Sequence, residues 1–190
     1  RYHPRAQGKA ASAAAALGWW APDERSEPRR GGFKKKGGRM GQSLSLVIVH
    51  VVFSTKARFP FLDPPVRERM QGYLAKLCRS VGGECYCVGG TADHVHIATT
   101  LPRVMSVADL VEEVKKRSSR WVRRGGRGML RKFHWQGGYA AFSVSASRLE
   151  GLERYIERQE EHHRKEGFQE ELRRLLTRHG VEFDERYVWE

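Results

Sequence analysis

Glu84-Cys85-Tyr86-Cys87-Val88-Gly89-Gly90-Thr91-Ala92-Asp93-His94-Val95-His96-Ile97-Ala98-Thr99-Thr100 decides how the rest of the chain must be read. Residues 84–88 and 95–100 have strand composition, and Gly89 to Asp93 is a connection of hairpin length. Upstream, Leu44 to Phe53 is a β-branched run apolar on both faces, the pattern of a central strand. Asp63-Pro64-Pro65 then caps a helix over Val66 to Val81, with Met70, Leu74 and Leu77 at helical spacing and Gly82-Gly83 as its stop. Downstream, Ser106 caps a second helix, Val107 to about Arg123, followed by a glycine-rich break and a strand from Tyr139 to Ser145. Helices over 149–165 and Phe168 to Arg178 complete the chain. The order strand, helix, strand, strand, helix, strand predicts an α+β fold: a ferredoxin-like split βαβ antiparallel sheet with appended C-terminal helices.

The chain has 190 residues, one domain's worth, with 39% hydrophobic and 30% charged residues. No stretch reaches the roughly 18 apolar residues of a spanning helix, so no membrane association is expected. Net charge +13 and pI near 10.1 favour a polyanionic partner, nucleic acid first. Three cysteines, Cys78, Cys85 and Cys87, are too few for a disulfide framework and suit a cytoplasmic location. The charge is uneven: residues 1–39 hold ten basic and three acidic side chains, along with Trp19-Trp20, four glycines from Gly31 to Gly38 and no sustained period. They read as a disordered basic leader or an over-extended start, and residues 40–190 as the folded domain.

Alternate strand residues share a face, so His94 and His96 can hold one ligand while Val95 points into the core. An isolated His-x-His is a weak metal signal, and solvated histidines explain it equally well. Pairing with Cys85 and Cys87 would suggest zinc, though Cys-x-Cys on a strand more often packs. On the helix over 149–165, Tyr155, Gln159 and His163 are successive i, i+4 neighbours on one stripe beside Leu152 and Ile156. Tyrosine can serve as a nucleophile once its phenolate is favoured, but a structural Tyr at the core edge fits the same spacing. Tyr139 lacks an amide partner four residues on and reads as structural. Between Lys115 and Lys132 lie nine basic residues and no acidic one. Lys115, Lys116, Arg117, Arg120, Arg123 and Arg124 would meet DNA phosphates, and Trp121 could stack on an unpaired base. Residues 150–190, richer in acids than bases, suit a solvated or subunit-contacting helical tail.

These segments together resemble the HUH single-tyrosine transposases of insertion-sequence-200/605 type, close to the REP-associated tyrosine transposases. The resemblance runs through His50 to Lys56, Asp93-His94-Val95-His96, Lys116 to Ser119, Trp135 to Ser145, Tyr155-Ile156 with Gln159 and His162-His163, and the closing Gly180 to Asp184 with Tyr187. It implies a metal-dependent transposase of the bacterial cytoplasm and nucleoid that cuts and rejoins single-stranded or hairpin DNA. Tyr155 would be the nucleophile of a 5′-phosphotyrosine intermediate. His94, His96 and Gln159 would bind Mg²⁺ or Mn²⁺, with His163 competing as third ligand. It also implies a homodimer whose active sites are shared between subunits, with Leu44 to Phe53 available to bury a joined edge. The rival expectation is a non-enzymatic or domesticated nucleic-acid-binding relative.

Overall fold

A computed structural model describes residues 44–186 together with 188 and 189; the basic leader and Tyr187 lie outside the described residues. Four strands, β1 (Ile48–Ser54), β2 (Cys85–Gly90), β3 (His94–Thr100) and β4 (Ala140–Val144), form an antiparallel sheet in the order β2-β3-β1-β4. Helices α1 (Pro64–Ser80) and α2 (Val107–Gly125) are its split crossovers, as the α+β reading expects. Three further helices follow: α3 (Leu149–Glu157), the one-turn α4 (Gln159–His162) and α5 (Phe168–Arg178).

All seven residues of β1 are buried. Val49, Val51 and Phe53 point to the α1–α2 side, where Val95 and Ile97 of β3 meet Met70, Leu74 and Leu77 of α1 and Leu110, Val111 and Val114 of α2. Asp63 Oδ1 accepts from Val66 N at 3.1 Å to start α1, and a Ser106–Asp109 capping box starts α2. Ser118 is tolerated inside α2 because its hydroxyl donates to Val114 O at 2.6 Å and accepts from Trp135 Nε1 at 2.8 Å.

The opposite face carries α3 and α5. Phe168, Leu172, Leu175 and Leu176 of α5 pack with Val52, Ala140 and Phe142. Each such burial contributes about 1.5–3 kcal/mol, enough to hold α5 on the sheet despite the charged residue it buries with them. The C-terminal segment is therefore a layer of the fold rather than a solvated tail.

Three boundaries and one edge assignment depart from the sequence reading. The strand begins at Ile48, not Leu44, because Ile48 pairs with the last residues of its neighbours, Thr100 and Val144, and the ladder ends there. Being flanked on both sides, β1 offers no edge for a partner; the edges are β2 and β4. Gly89 and Gly90 belong to β2 rather than to the turn. A Cβ on Gly89 would lie 2.3 Å from Ile156 O, so this glycine lets α3 lie directly on the strand, while one on Gly90, at φ 141°, would lie 2.2 Å from His94 O, so that glycine serves the close approach of β3. Finally, the helix expected over 149–165 breaks at Arg158 (φ −94°, ψ 15°), and both Gln159 and His163 beyond the break reach a side chain of α5.

Candidate active site

β3 sends His94 and His96 to the α3–α5 side, opposite Val95, and both rings are fully buried. The Nδ1 atom of His94 lies 2.8 Å from Asp93 Oδ1 and 2.9 Å from Thr91 Oγ1. A carboxylate on Nδ1 fixes the ring and leaves Nε2 free for a cation. Burial alone would raise the Asp93 carboxyl, but its hydrogen bonds to His94 and Thr91 hold it below the usual range. Nδ1 of His96 is engaged by Nε2 of His50, on the adjacent strand, at 2.9 Å. His96 Nε2 is buried with no hydrogen-bond partner, a deficit of about 1–3 kcal/mol that a bound cation would remove.

Over these rings lie Tyr155, its ring 5.8 Å from that of His96 and 6.3 Å from that of His50, and Gln159, whose Oε1 is 3.4 Å from His94 Nε2. Glu171 of α5, fully buried, closes the set. Its Oε1 accepts the Tyr155 hydroxyl and, at 2.9 Å, Gln159 Nε2. Its Oε2 accepts His163 Nε2 at 2.9 Å and lies 3.5 Å from His96 Nε2 and 3.9 Å from His94 Nε2. Burial pushes the Tyr155 phenol up, with the Glu171 charge adding to it. For Glu171 burial acts upward too, but hydrogen bonds from His163 and Tyr155 and the attraction of the nearby His96 ring outweigh it and drive the carboxyl far down. The proton of this pair therefore rests on the tyrosine.

The donor atoms of His94, His96, His163 and Glu171 lie within 4.8 Å of one another, so this buried cluster can hold a metal ion. Imidazoles, one of them with an orphaned ring nitrogen, and a carboxylate are a donor set that fits a divalent cation. No cysteine belongs to it: Cys85 is packed with Cys78 in the core on the α1 side. Sequence reading brought His94, His96, Tyr155, Gln159 and His163 to this place but missed Glu171 and the role of His50. The signal for Glu171 was present, since it falls inside the apolar stripe of Phe168, Leu172, Leu175 and Leu176.

The basic segment lies on the other side of the sheet. Lys116, Arg120 and Arg124 are exposed. Arg123 Nη1 lies 3.3 Å from His134 Nδ1 and Arg117 Nη1 donates to Ser80 Oγ at 3.1 Å. Lys115 is used differently: its ammonium donates to the carbonyls of Gln136, Gly137 and Gly138 at 2.8, 3.1 and 2.6 Å, and burial lowers its pKa to about 8. It clamps the loop entering β4 rather than facing solvent. Trp121 is stacked on Tyr73, with centroids 4.5 Å apart and rings 11° from parallel, whereas Tyr139 is 42% exposed. Lys116, Arg120, Arg123, His134 and Tyr139 line one groove between α2 and residues 134–139.

Residues 43–159 match the family described as transposase IS200-like. The chain belongs to that family. Among solved structures, a protein from Deinococcus radiodurans R1 assigned as a transposase is similar, with 20% identity and a TM-score of 0.51 over 65% of this chain and 98% of that one. A REP-associated tyrosine transposase bound to a REP hairpin has 15% identity and a TM-score of 0.49 over 67% of this chain and 74% of that one. No curated protein matches. The family match of this transposase ends at Gln159, so α5 and Glu171 lie beyond it. No helix among the described residues is long and apolar enough to cross a membrane.

The buried histidines predict how stability of this IS200-like transposase responds to acid. Burial, reinforced by neighbouring histidines, lowers His50 to about 3 and His96 to about 4 from 6.5. Their contribution is present above pH 6.5, the unfolded value, and is lost as pH falls toward the folded values, because protons then bind the unfolded chain preferentially. Burial pulls His163 down, but the Glu171 hydrogen bond together with the Glu171 and Asp93 charges raises it, so its contribution has the opposite sign: present below 6.5 and lost as pH rises through its folded value. At up to about 1.4 kcal/mol per pH unit for each histidine, the two lowered groups outweigh the one raised. Melting temperature in EDTA should fall steadily from pH 6.5 to 5; a flat profile would refute the buried neutral pair.

Proposed function

We propose that the protein cleaves and rejoins single-stranded DNA, at or beside a hairpin, through a 5′-phosphotyrosine intermediate. The observation that carries this reading is the convergence of the Tyr155 hydroxyl and the two Nε2 atoms of His94 and His96 on one buried carboxylate. In cleavage, Tyr155 Oη bonds to phosphorus as the bond from phosphorus to the 3′ oxygen breaks; the tyrosine proton departs through its hydrogen bond to Glu171, and the 3′ oxygen takes up a proton from water to leave as a hydroxyl. The freed 3′-hydroxyl can later attack the same phosphorus and release Tyr155, which needs no ATP because the phosphodiester energy is kept in the adduct. His94 and His96 would hold Mg²⁺ or Mn²⁺, with Gln159, the third ligand that the resemblance implies, beside them. A cation held there would supply polarisation of the phosphate and stabilisation of the developing negative charge. Tyr155 is the half-buried member of the set, with His162 at 5.6 Å between ring centroids, so the phosphate approaches from that side.

Nucleic-acid phosphates are met by Lys116, Arg117, Arg120, Arg123 and Arg124 on α2, with Tyr139 rather than Trp121 open for base stacking. Because α2 and Tyr155 lie on opposite faces, a bound strand must pass round an edge of the sheet to be cut. Each chain brings its own Tyr155 to its own histidines, so exchange of the tyrosine helix between subunits is not needed to assemble the site; a homodimer would join through β2 or β4. Replacing Arg120, Arg123 and Arg124 together by Ala should weaken DNA binding about 10³-fold or less at low salt, across sequences, and flatten the slope of log affinity against log salt by about two to three. Fluorescence anisotropy at several salt concentrations measures both. An unchanged slope would remove α2 from the interface.

The reading itself is tested by incubating the protein with Mn²⁺ and oligonucleotides labelled on either side of the cut. Only the downstream fragment should remain attached after denaturation. Attachment of the upstream fragment, or of none, would overturn it.

A further inference from the structure

We infer that Glu171 is the third protein ligand of the metal, so that one carboxylate joins the cation to the nucleophile: Oε2 serves the metal and Oε1 holds the hydroxyl of Tyr155. The inference rests on the metal-dependent reading above and assigns a ligand that lies on α5, outside the residues that match the family.

The division of labour is visible in the hydrogen bonds. Oε1 is occupied by Tyr155 and Gln159. Oε2 faces three ring nitrogens, those of His163 at 2.9 Å, His96 at 3.5 Å and His94 at 3.9 Å. Of these, His96 Nε2 has no hydrogen-bond partner. Two donors bonded to one small divalent cation at about 2.1 Å and at right angles stand about 3 Å apart. The observed separations from Oε2 to the two histidines need a contraction of under about 1 Å to meet that figure. His163 can keep its hydrogen bond to the second lone pair of Oε2 and so orient the carboxylate.

Gln159 is the competing donor, and chemistry favours the carboxylate. Mg²⁺ and Mn²⁺ are hard cations that prefer charged oxygen. A dication held only by two imidazoles and an amide would leave a double positive charge in a buried site, whereas Glu171 halves it. The amide nitrogen of Gln159 is turned to Oε1, which makes it a brace for the carboxylate. Burying an anion on a helix otherwise held by apolar contacts is costly, and a cation beside it supplies the compensation.

The test reads metal binding without DNA or turnover, by Mn²⁺ titration of the full chain followed by electron paramagnetic resonance of the free ion. Glu171→Gln keeps shape and removes charge; it should raise the Mn²⁺ dissociation constant at least about tenfold, while Gln159→Leu should raise it less. Glu171→Asp, which withdraws the carboxylate by one methylene but keeps its charge, should fall between wild type and Glu171→Gln, and it stands in should the glutamine variant fail to fold. Unchanged Mn²⁺ affinity in Glu171→Gln or in Glu171→Asp, or a larger loss in Gln159→Leu, overturns the assignment. Failure of the wild-type protein to form a DNA adduct while Glu171→Gln still loses Mn²⁺ would instead sink the cleavage reading and leave the ligand in place.

Discussion

Tyr155→Phe should abolish covalent attachment to DNA, lowering cleavage by more than about 10⁴-fold, the scale on which loss of an enzymic nucleophile reads. The substitution removes one oxygen and keeps the ring that lies against His50 and His96. Glu171 loses one hydrogen-bond donor but retains Gln159 and His163, so the variant should be destabilised by about 1–2 kcal/mol. DNA affinity and Mn²⁺ binding should stay near wild type, because neither the α2 surface nor the histidines are touched. The measurement is a denaturing gel of labelled oligonucleotide with protein. A denaturation-resistant adduct in Tyr155→Phe would move the nucleophile elsewhere, and the exposed Tyr139 would be tested next by the same substitution.

His96→Ala and His94→Ala should each reduce metal-dependent attachment by more than about 10³-fold and weaken Mn²⁺ binding in parallel, since each removes one of the two imidazoles of β3 whose Nε2 faces Glu171. The two variants differ in what else they disturb. Loss of His96 strands His50 Nε2, which hydrogen-bonds to it inside the sheet, whereas loss of His94 frees Asp93 and Thr91 at the exposed end of β3. His96→Ala should therefore cost more stability in EDTA than His94→Ala. Adding excess EDTA to the wild-type protein should reproduce the loss of attachment without any change of sequence. Full cleavage in either variant would place the metal away from β3.

The residues behind both expectations are partly legible in the amino-acid order. A two-residue strand period puts His94 and His96 on one face and a four-residue helical period puts Tyr155, Gln159 and His163 on one stripe, so membership of the two lines can be read directly. That the two lines meet cannot. The meeting depends on Gly89, whose missing side chain lets α3 lie against β2, and a glycine pair at positions 89 and 90 has the composition of a turn. Lys115 shows the same limit. In a run of basic residues every member looks solvated, yet this one ends among three carbonyls because the loop before β4 folds back over α2. Trp121 and Tyr139 exchange roles for a like reason: which aromatic is exposed depends on whether α1 supplies a stacking partner, and Tyr73 does so for Trp121.

By itself the sequence determined the order of elements, the alternation that separates core from site along β3, the caps of α1 and α2, and the resemblance on which the proposed nucleophile rests. Those are local properties, set by periods of two and 3.6 residues and by residue type. Tertiary structure alone decided that β1 is flanked on both sides, that the C-terminal helix is a layer of the fold, and that Glu171 sits under Tyr155. A charged residue in an apolar stripe reads equally as a fault or as a site until the opposite face is known. Here that face presents His94, His96 and His163, and a buried carboxylate is held where three imidazoles and a phenol can satisfy it.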